Sequence, residues 1–437
     1  MQAFITKIGV QIADQDGEGL GRILQPLGKE VTLLVQKLGN SDRKFLEKYK
    51  GGMAAPWDEV VIALVQVNVH MLDDNHAVAY QEQAHLVNQF FRFMLNQTAW
   101  ILPALLGLLR TLRQLAAKAS RKTADAAARK EGTKSDALED AARICNKAFT
   151  NCLTDRSALY TRNMRTSRKW GVYALVGMTL KCYIAADRMG LHKSLLRSLT
   201  VQKDMPPFED YPKADQVTCK YYFGLLAFLS EDWSLAFDEF SAAFAKCGRG
   251  SDPSIVRNQE RILTYLVPLQ LMRGRLPPRS LIPWDLPSSA TSSDPDTKPS
   301  SLRYPNLAAL YTPFIRALRA GDLRLFDLAL VRAEPRLVQK NVWGLMESRV
   351  REVCLRGFFV RVWKTLSADS KKRMPVGIVR RGLKLVGGID ELDEAECITA
   401  GLIFRGFIKG YISHEKRMVV LAAKDPFPSL SSVAVKA

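Results

Sequence analysis

The chain has 437 residues, with 63 Lys plus Arg against 44 Asp plus Glu, a formal charge of +19, and a hydrophobic fraction of 47%. At roughly 100–200 residues per domain this length points to two to four compact units, and the apolar fraction excludes a mostly disordered chain. The basic balance implies an acidic partner, whether nucleic acid, an anionic membrane or an acidic protein, without choosing among them.

Met1 to Val10 lacks the basic start and long apolar run of a secretory signal. From Trp57 to Leu95 apolar residues recur at intervals of three and four. Val60, Leu64, Val67 and Met71 form one stripe and Leu86, Phe90 and Met94 another, which predicts two amphipathic helices. Asp58 is placed to cap the first. The most membrane-like run, Trp100 to Leu109, contains Pro103 and Gly107 and stops at Arg110. A spanning helix needs about 20 apolar residues, so a buried helix is expected and no membrane partner. Ala116 to Asp140, rich in Ala, Lys, Arg and Asp, reads as an exposed helix or a helix and loop crossing the surface.

Charge is concentrated between Ile101 and Lys203, where 20 basic residues face 7 acidic ones. The clusters are Arg121/Lys122, Arg129/Lys130 and Arg162/Arg165/Arg168/Lys169, either solvated helix faces or a binding surface. The seven cysteines (Cys145, Cys152, Cys182, Cys219, Cys247, Cys354 and Cys397) are odd in number and lack CxxC spacing, which fits reduced, mostly buried thiols in a cytosolic or nuclear protein.

Lys220 to Cys247 has the pattern of one tetratricopeptide unit, in which small residues let two antiparallel helices approach closely. Gly224 and Ala227 fall on the first helix, Ser230 to Asp232 in the turn, and Ala236, Phe240, Ala243 and Phe244 on the second. One such unit cannot bury its own face, so neighbours must stack on it, and a right-handed array of helical hairpins is expected to about Leu366. Pro283 to Pro305, with six Ser and five Pro, reads as a flexible surface loop inside that array.

Gly344 to Leu366 reads as a helix with Met346, Val350, Cys354, Phe358 and Val362 on one side. Met374 to Val386 reads as a short extended stretch and a helix. Asp390 to Arg405 is a helix whose Asp390, Glu391, Asp393 and Glu394 favour its positive N-terminal end, with Gly406 as its C-cap. Two β-rich segments, Phe407 to Ile412 and Met418 to Leu421, flank the polar turn His414–Arg417. Helix, helix, helix, hairpin is the order of a winged helix. The fold class is therefore all-α, a tetratricopeptide-like helical array followed by a C-terminal winged helix with a small β-hairpin wing. The divisions are 1–45, an N-terminal segment; 46–343, the array with its loop at 283–305; 344–430, the winged-helix part; and 431–437, a tail.

A helical array ending in a winged helix is the PCI architecture. Lys220-Tyr221-Tyr222-x-Gly224, Arg261-Ile262-Leu263-x-Tyr265-Leu266-x-Pro268, Glu396-Cys397-Ile398, Leu402-Ile403, Gly410-Tyr411-Ile412-Ser413-His414 and Asp425-Pro426-Phe427-Pro428 resemble one branch of that family. This branch holds the PCI subunit of the TREX-two transcription-and-export complex and the subunit twelve associated with the COP-nine signalosome. Weaker likeness runs upstream through Ser167-Arg168-Lys169-Trp170-Gly171 to Pro56-Trp57-Asp58-Glu59, whereas the first 45 residues and the Pro/Ser loop depart from the pattern. The resemblance implies a non-catalytic nuclear scaffold, with the cytoplasm left open as a second location. It implies a second PCI protein docked through the winged helix, a small acidic proteasome-lid-type subunit along the array, and RNA or double-stranded DNA on a shared basic surface. It leaves open whether the complex serves messenger-RNA export or is the signalosome-associated or elongation- and splicing-linked one. A stand-alone nucleic-acid-binding protein is a further alternative.

Candidate nucleic-acid contacts are Lys371, Lys372, Arg373, Arg380, Arg381, Lys384, Lys409, Lys416 and Arg417. Phosphate contacts need only positive charge along a surface, and solvated charges around a protein–protein module are the competing reading. The acidic start of the third helix argues against ordinary insertion into the major groove. For the acidic subunit the resemblance suggests Lys220, Tyr221, Trp233, Arg257 and Arg261, although the aromatic residues here also suit a hairpin core. The five histidines, His70, His76, His85, His192 and His414, are scattered, and neither a phosphate loop nor a nucleophile motif is present. No catalytic site, metal or cofactor is expected.

Overall fold

The structure, a computed structural model, describes residues 2–38, 43–49, 51, 55–127, 136–161, 164–284, 302–367, 371–430 and 433. The chain divides into two compact units, Met1–Tyr222 and Phe223–Ala437. Position 344, where the sequence suggests the winged-helix part begins, lies inside the second.

The first unit is helical. It begins with α1 (Gln2–Ala13), α2 (Gly17–Ile23), α3 (Lys29–Leu38) and α4 (Arg43–Leu46). These lead into the long helices α5 (Trp57–Leu72), α6 (His76–Met94), α7 (Leu102–Ala127) and α8 (Asp136–Leu153). A two-residue ribbon, β1 (Tyr160–Thr161) with β2 (Met164–Arg165), precedes α9 (Val172–Ala185), α10 (His192–Val201) and α11 (Lys213–Leu229). Successive long helices pack as neighbours, α5 on α6, α6 on α7 and α8 on α9, while α2 lies on α7 and α3 on α5. Helix α5 is buried all round from Val60 to Asn68 and not along one stripe, as befits an inner helix. Its Asn68 Oδ1 accepts the Leu27 N–H at 2.9 Å, tying the start of the chain to it.

Asp58 does not cap α5. The helix starts at Trp57, so Asp58 sits in its first turn, where its carboxylate favours the helix dipole and accepts the Gly51 N–H at 2.7 Å. The run from Trp100 is buried at Ile101, Leu102, Ala104, Leu105, Leu108 and Leu109. Burial continues along α7 to Leu115, Ala116 and Ala119, further than a surface crossing allows. Residues 128–135 of that segment lie outside the described residues.

One basic cluster proves structural. Arg168 and Lys169 are buried. Arg168 pairs with Asp155 and donates to the Met94 carbonyl at 2.9 Å, and Lys169 Nζ donates to the Asp204 carbonyl at 3.0 Å. Arg165 lies 4.1 Å from the Trp170 ring centroid and donates to the Asp210 carbonyl. These cations hold loops against helices; Arg168 and Lys169 are buried, whereas Arg165 is exposed. Arg129, Lys130 and Arg162 lie outside the described residues.

In the second unit the end of α11 turns into α12 (Trp233–Lys246), followed by α13 (Pro253–Met272). The turn is the expected one: Asp232 caps α12 by accepting the Leu235 N–H at 3.0 Å. A Cβ on Gly224 would meet Phe240 ring atoms at 3.1 Å, and Ala236, Phe240 and Ala243 are fully buried. The small residue and the ring thus set the approach of the two helices. Phe240 also stacks on Tyr265 of α13 at 5.3 Å, which extends the packing to the next helix. Of the Pro283–Pro305 segment, residues 285–301 lie outside the described residues. Its buried Trp284 donates to the Pro277 carbonyl at 3.3 Å.

Beyond it lie α14 (Pro305–Ala320) and α15 (Leu323–Gln339), then a continuous helical stretch of α16 (Trp343–Leu345), a π-turned segment (Met346–Val350) and α17 (Arg351–Thr365). The chain ends in β3 (Arg373–Pro375), α18 (Val376–Gly387), α19 (Leu392–Phe404), β4 (Gly410–Ser413) and β5 (Met418–Leu421). The whole is a helical repeat followed by a winged helix. Six cysteines are buried, Cys397 is exposed, and none forms a disulfide. Among the described residues no helix is long and apolar enough to cross a membrane.

Candidate nucleic-acid interface

The winged helix is built around a three-stranded antiparallel sheet of order β3-β5-β4. The sequence suggests only the β4–β5 hairpin; the three residues of β3 become a strand by pairing with β5, Arg373 opposite Val420 and Met374 opposite Val419. Met374 and Val419 are fully buried and, with Val376, Val379, Leu383, Ala395 and Leu402, form the core under the sheet. After α19, Gly406 adopts φ 82 and its N–H returns to the Ile403 carbonyl, the C-terminal stop expected there.

Strand alternation sends Arg373, Val420 and Tyr411 to the opposite face. Arg373 is exposed and Tyr411 is 63% exposed. This face joins a guanidinium and an aromatic ring on the two outer strands. Tyr411 was not among the candidates from sequence; the alternation of buried Val419 and Leu421 in its partner strand was the available signal.

The nine candidate cations fall into two groups. Five are partnered or half-buried within the module. Lys384 Nζ is 2.6 Å from Asp390, Lys409 Nζ is 3.2 Å from Asp425, and Arg417 Nη1 is 2.5 Å from Asp393 and 2.8 Å from Glu396. Lys371 Nζ lies 5.3 Å above the Trp363 ring. Arg380 is half-buried with its Nε shielded and unpaired, and its charge helps lower the Asp390 pKa, an effect led by the Lys384 hydrogen bond. The other four, Lys372, Arg373, Arg381 and Lys416, are exposed and form no ion pair with a described residue.

The acidic start of α19 is partly neutralised from within the module. Asp393 and Glu396 bind Arg417, and Glu396 also meets His414 Nδ1 at 2.8 Å. The His414 hydrogen bond, followed by that of Arg417, holds the Glu396 carboxyl below its usual range. These contacts fix the wing turn to α19. Two carboxylates of the helix, Asp393 and Glu396, are thus engaged by the wing, while the unpaired cations lie on or just before β3, on α18 and in the turn.

The second candidate set divides between the units. In the first, Lys220 Nζ lies 5.6 Å from the Phe208 ring and Tyr221 packs edge-on to Tyr222 at 5.1 Å. In the second, Trp233 packs on buried Phe228 at 5.2 Å, and Arg257 and Arg261 are exposed on α13. Among the described residues no group of three or more His, Cys, Asp or Glu side chains could hold a metal ion.

Point charges and an exposed ring on one small module can hold a phosphate backbone and stack a base; they supply no sequence code. No family model matches the chain. A Protein CSN12 homolog from Mycosarcoma maydis is 36% identical over 373 residues, covering 82% of this chain and 76% of that protein. A protein of the same name from Schizosaccharomyces pombe is 31% identical over 382 residues, covering 85% and 83%. PCI domain-containing protein 2 from Danio rerio is 28% identical over 393 residues, covering 89% and 88%.

Proposed function

Because the chain belongs to the branch of the PCI family that holds the CSN12 homologues and PCI domain-containing protein 2, we propose that it is a non-catalytic scaffold subunit of a nuclear complex coupling transcription to messenger-RNA export. Its winged helix docks a second PCI protein, a small acidic subunit lies along the helical array, and RNA or double-stranded DNA binds the basic surface that the two winged helices share. The cytoplasm is a second possible location, and the reading involves no membrane. The observation that supports it best is the set of unpaired cations, Lys372, Arg373, Arg381 and Lys416, on the module that exposes Tyr411 and in which Lys384, Lys409 and Arg417 are held by internal ion pairs. Such an array favours strong, salt-sensitive and weakly selective binding.

The name carried by the Mycosarcoma and Schizosaccharomyces relatives favours a second reading, in which the same scaffold serves the signalosome-associated or elongation- and splicing-linked assembly. A pull-down of the tagged chain from native extract, with identification of the PCI protein recovered, separates the two. Recovery of an export scaffold supports the first and of an elongation- or splicing-linked PCI protein the second. If the purified chain binds RNA as tightly alone as with its partner, it is a stand-alone nucleic-acid-binding protein and both scaffold readings fail.

A further inference from the structure

In the second unit, α15 is apolar on two opposite faces. Leu323, Phe326, Ala329, Leu330, Ala333 and Leu337 are buried and face the core, as one stripe of a packed helix should. Leu325, Leu328, Val331, Pro335 and Val338 are all exposed and follow at intervals of three, three, four and three. That spacing sets them on one line about 20 Å long. Leu328, Val331 and Val338 are 55%, 66% and 52% exposed. Single exposed apolar residues are ordinary, but a row of them along one helix marks an interaction surface.

A row of cations borders the stripe. Arg332, Arg336 and Lys340 recur at intervals of four, are exposed, and form no ion pair with a described residue. Like charges at this spacing repel one another along a helix, so the row costs stability unless a partner opposes it. Little within α15 does so. Of its two carboxylates, Asp327 is bound by Arg351 at 2.8 Å, which leaves Glu334. Pro335 adds a further feature. It stands inside the helix and has no N–H for the Val331 carbonyl, so the stripe holds a backbone acceptor without its usual helical donor.

We propose that this face of α15 docks an amphipathic helix of a partner protein, with Leu or Ile against the stripe and Asp or Glu beside the cation row. The stripe matches about four turns of such a helix. Apolar contact supplies the affinity, and carboxylates opposite Arg332, Arg336 and Lys340 fix register and direction. Other occupants fit less well. A second copy would set the same excess of cations against itself. A nucleic acid would meet the cations and leave the apolar stripe in water. A bilayer would cover the stripe but has no donor for the Val331 carbonyl. None of Lys220, Tyr221, Trp233, Arg257 and Arg261 lies on α15, so this surface is distinct from the one the family resemblance suggests for an acidic subunit.

The test uses the full chain and a fluorescein-labelled helical peptide, three repeats of Leu-Glu-Glu-Leu-Ala-Glu-Lys. One control has the same composition in scrambled order, and another carries Lys for each Glu. Fluorescence anisotropy should give saturable binding of the first peptide and at least about tenfold weaker binding of both controls. Leu328→Ser and Val331→Ser, both at exposed positions, should each weaken it by about fivefold or more. The double variant Arg332→Glu with Arg336→Glu should weaken it by about tenfold and bind the Lys peptide in preference, an inversion that a merely structural role would not produce. Circular dichroism melts establish that each variant is folded. Absence of saturable binding, equal affinity for either control, or folded variants that bind like wild type would overturn the proposal. So would self-association, seen by sedimentation, that Val331→Ser abolishes, since the occupant would then be a second copy. Binding to phosphatidylserine vesicles that Val331→Ser abolishes would make it a membrane instead.

Discussion

Arg168 Nη2 donates to Asp155 Oδ1 at 3.1 Å, with both residues less than a tenth exposed. The same carboxylate accepts the Arg168 N–H at 2.7 Å and the Ser167 and Ser157 hydroxyls at 3.0 Å. Arg168 also reaches the Met94 carbonyl, 74 residues away in sequence. One ion pair therefore closes the chain between α8 and α9 and binds it to the end of α6.

Burial alone would raise the Asp155 pKa, but the hydrogen bonds from Arg168 and Ser167 overcome it and lower the carboxyl to about 2. A depressed folded-state pKa stabilises above the ordinary carboxylate value and loses that stability as pH falls through the folded one. Asp155 should contribute about 2–3 kcal/mol at neutral pH, lost between about pH 4 and pH 2. Asp155→Asn leaves the guanidinium buried without its counter-ion and should cost about 3–5 kcal/mol. Urea unfolding of both proteins at pH 7 and in acid checks this: the difference between them should shrink as pH falls towards 2.

At the α11–α12 hairpin, Gly224→Ala should cost about 1–3 kcal/mol, because the new methyl meets a fully buried Phe240 ring that is held by its stack on Tyr265. Phe240→Ala should cost about 3–5 kcal/mol by leaving a cavity. The double variant should recover part of the sum, since the two residues share one contact. Thermal melts of the three variants test it. Strict additivity would mean that the close approach does not depend on this pair.

Local pattern was enough to read this hairpin and the order of the winged helix, because small-residue spacing, caps and glycine stops act within a few residues. What the sequence left hidden depends on distant partners. Arg168 and Lys169 look like surface charge until Asp155, the Met94 carbonyl and the Asp204 carbonyl enclose them. β3 is three residues long and becomes a strand only opposite β5. Asp393 and Glu396 of α19 look repulsive to nucleic acid until Arg417 and His414 fold back onto them. The face taken by Tyr411 depends on register, which residue type does not specify.

The contacts of Arg417 and His414 with α19 position the wing turn more than they stabilise the fold. Arg417→Ala should increase hydrogen exchange at residues 414–418 with little change in the melting midpoint, since exposed ion pairs contribute little to global stability. Glu396 is held below the ordinary carboxylate range, by His414 first and then Arg417. Its link to the wing should therefore persist as pH falls through that range and fail only below it. NMR titration of the Glu396 carboxyl follows the transition, and in Arg417→Ala it should move up towards the usual value. An unmoved titration would show that Arg417 does not hold the turn.

Nucleic-acid binding by the assembled complex should separate the two groups of cations. Lys372, Arg373, Arg381 and Lys416 are unpaired with any described residue, whereas Lys384, Lys409 and Arg417 already have carboxylate partners 2.5–3.2 Å away. A cation that neutralises a phosphate releases about one counter-ion, so each lost contact should flatten the slope of log affinity against log salt by about 0.7 for single strands and 0.9 for duplex DNA. The fourfold Gln variant of the unpaired set should therefore reduce that slope by about 3 units on RNA. The corresponding variant at Lys384, Lys409 and Arg417 should change it less, because those cations must leave a carboxylate before they reach a phosphate. Tyr411→Ala removes a stacking face and no charge, so it should weaken single-strand binding by about 1–3 kcal/mol while leaving the salt slope unchanged. A salt titration of all three variants distinguishes the contributions. Equal slopes for the two charge variants would mean that the internal ion pairs do not decide which cations meet nucleic acid, and an unchanged slope in both would remove the wing from the interface.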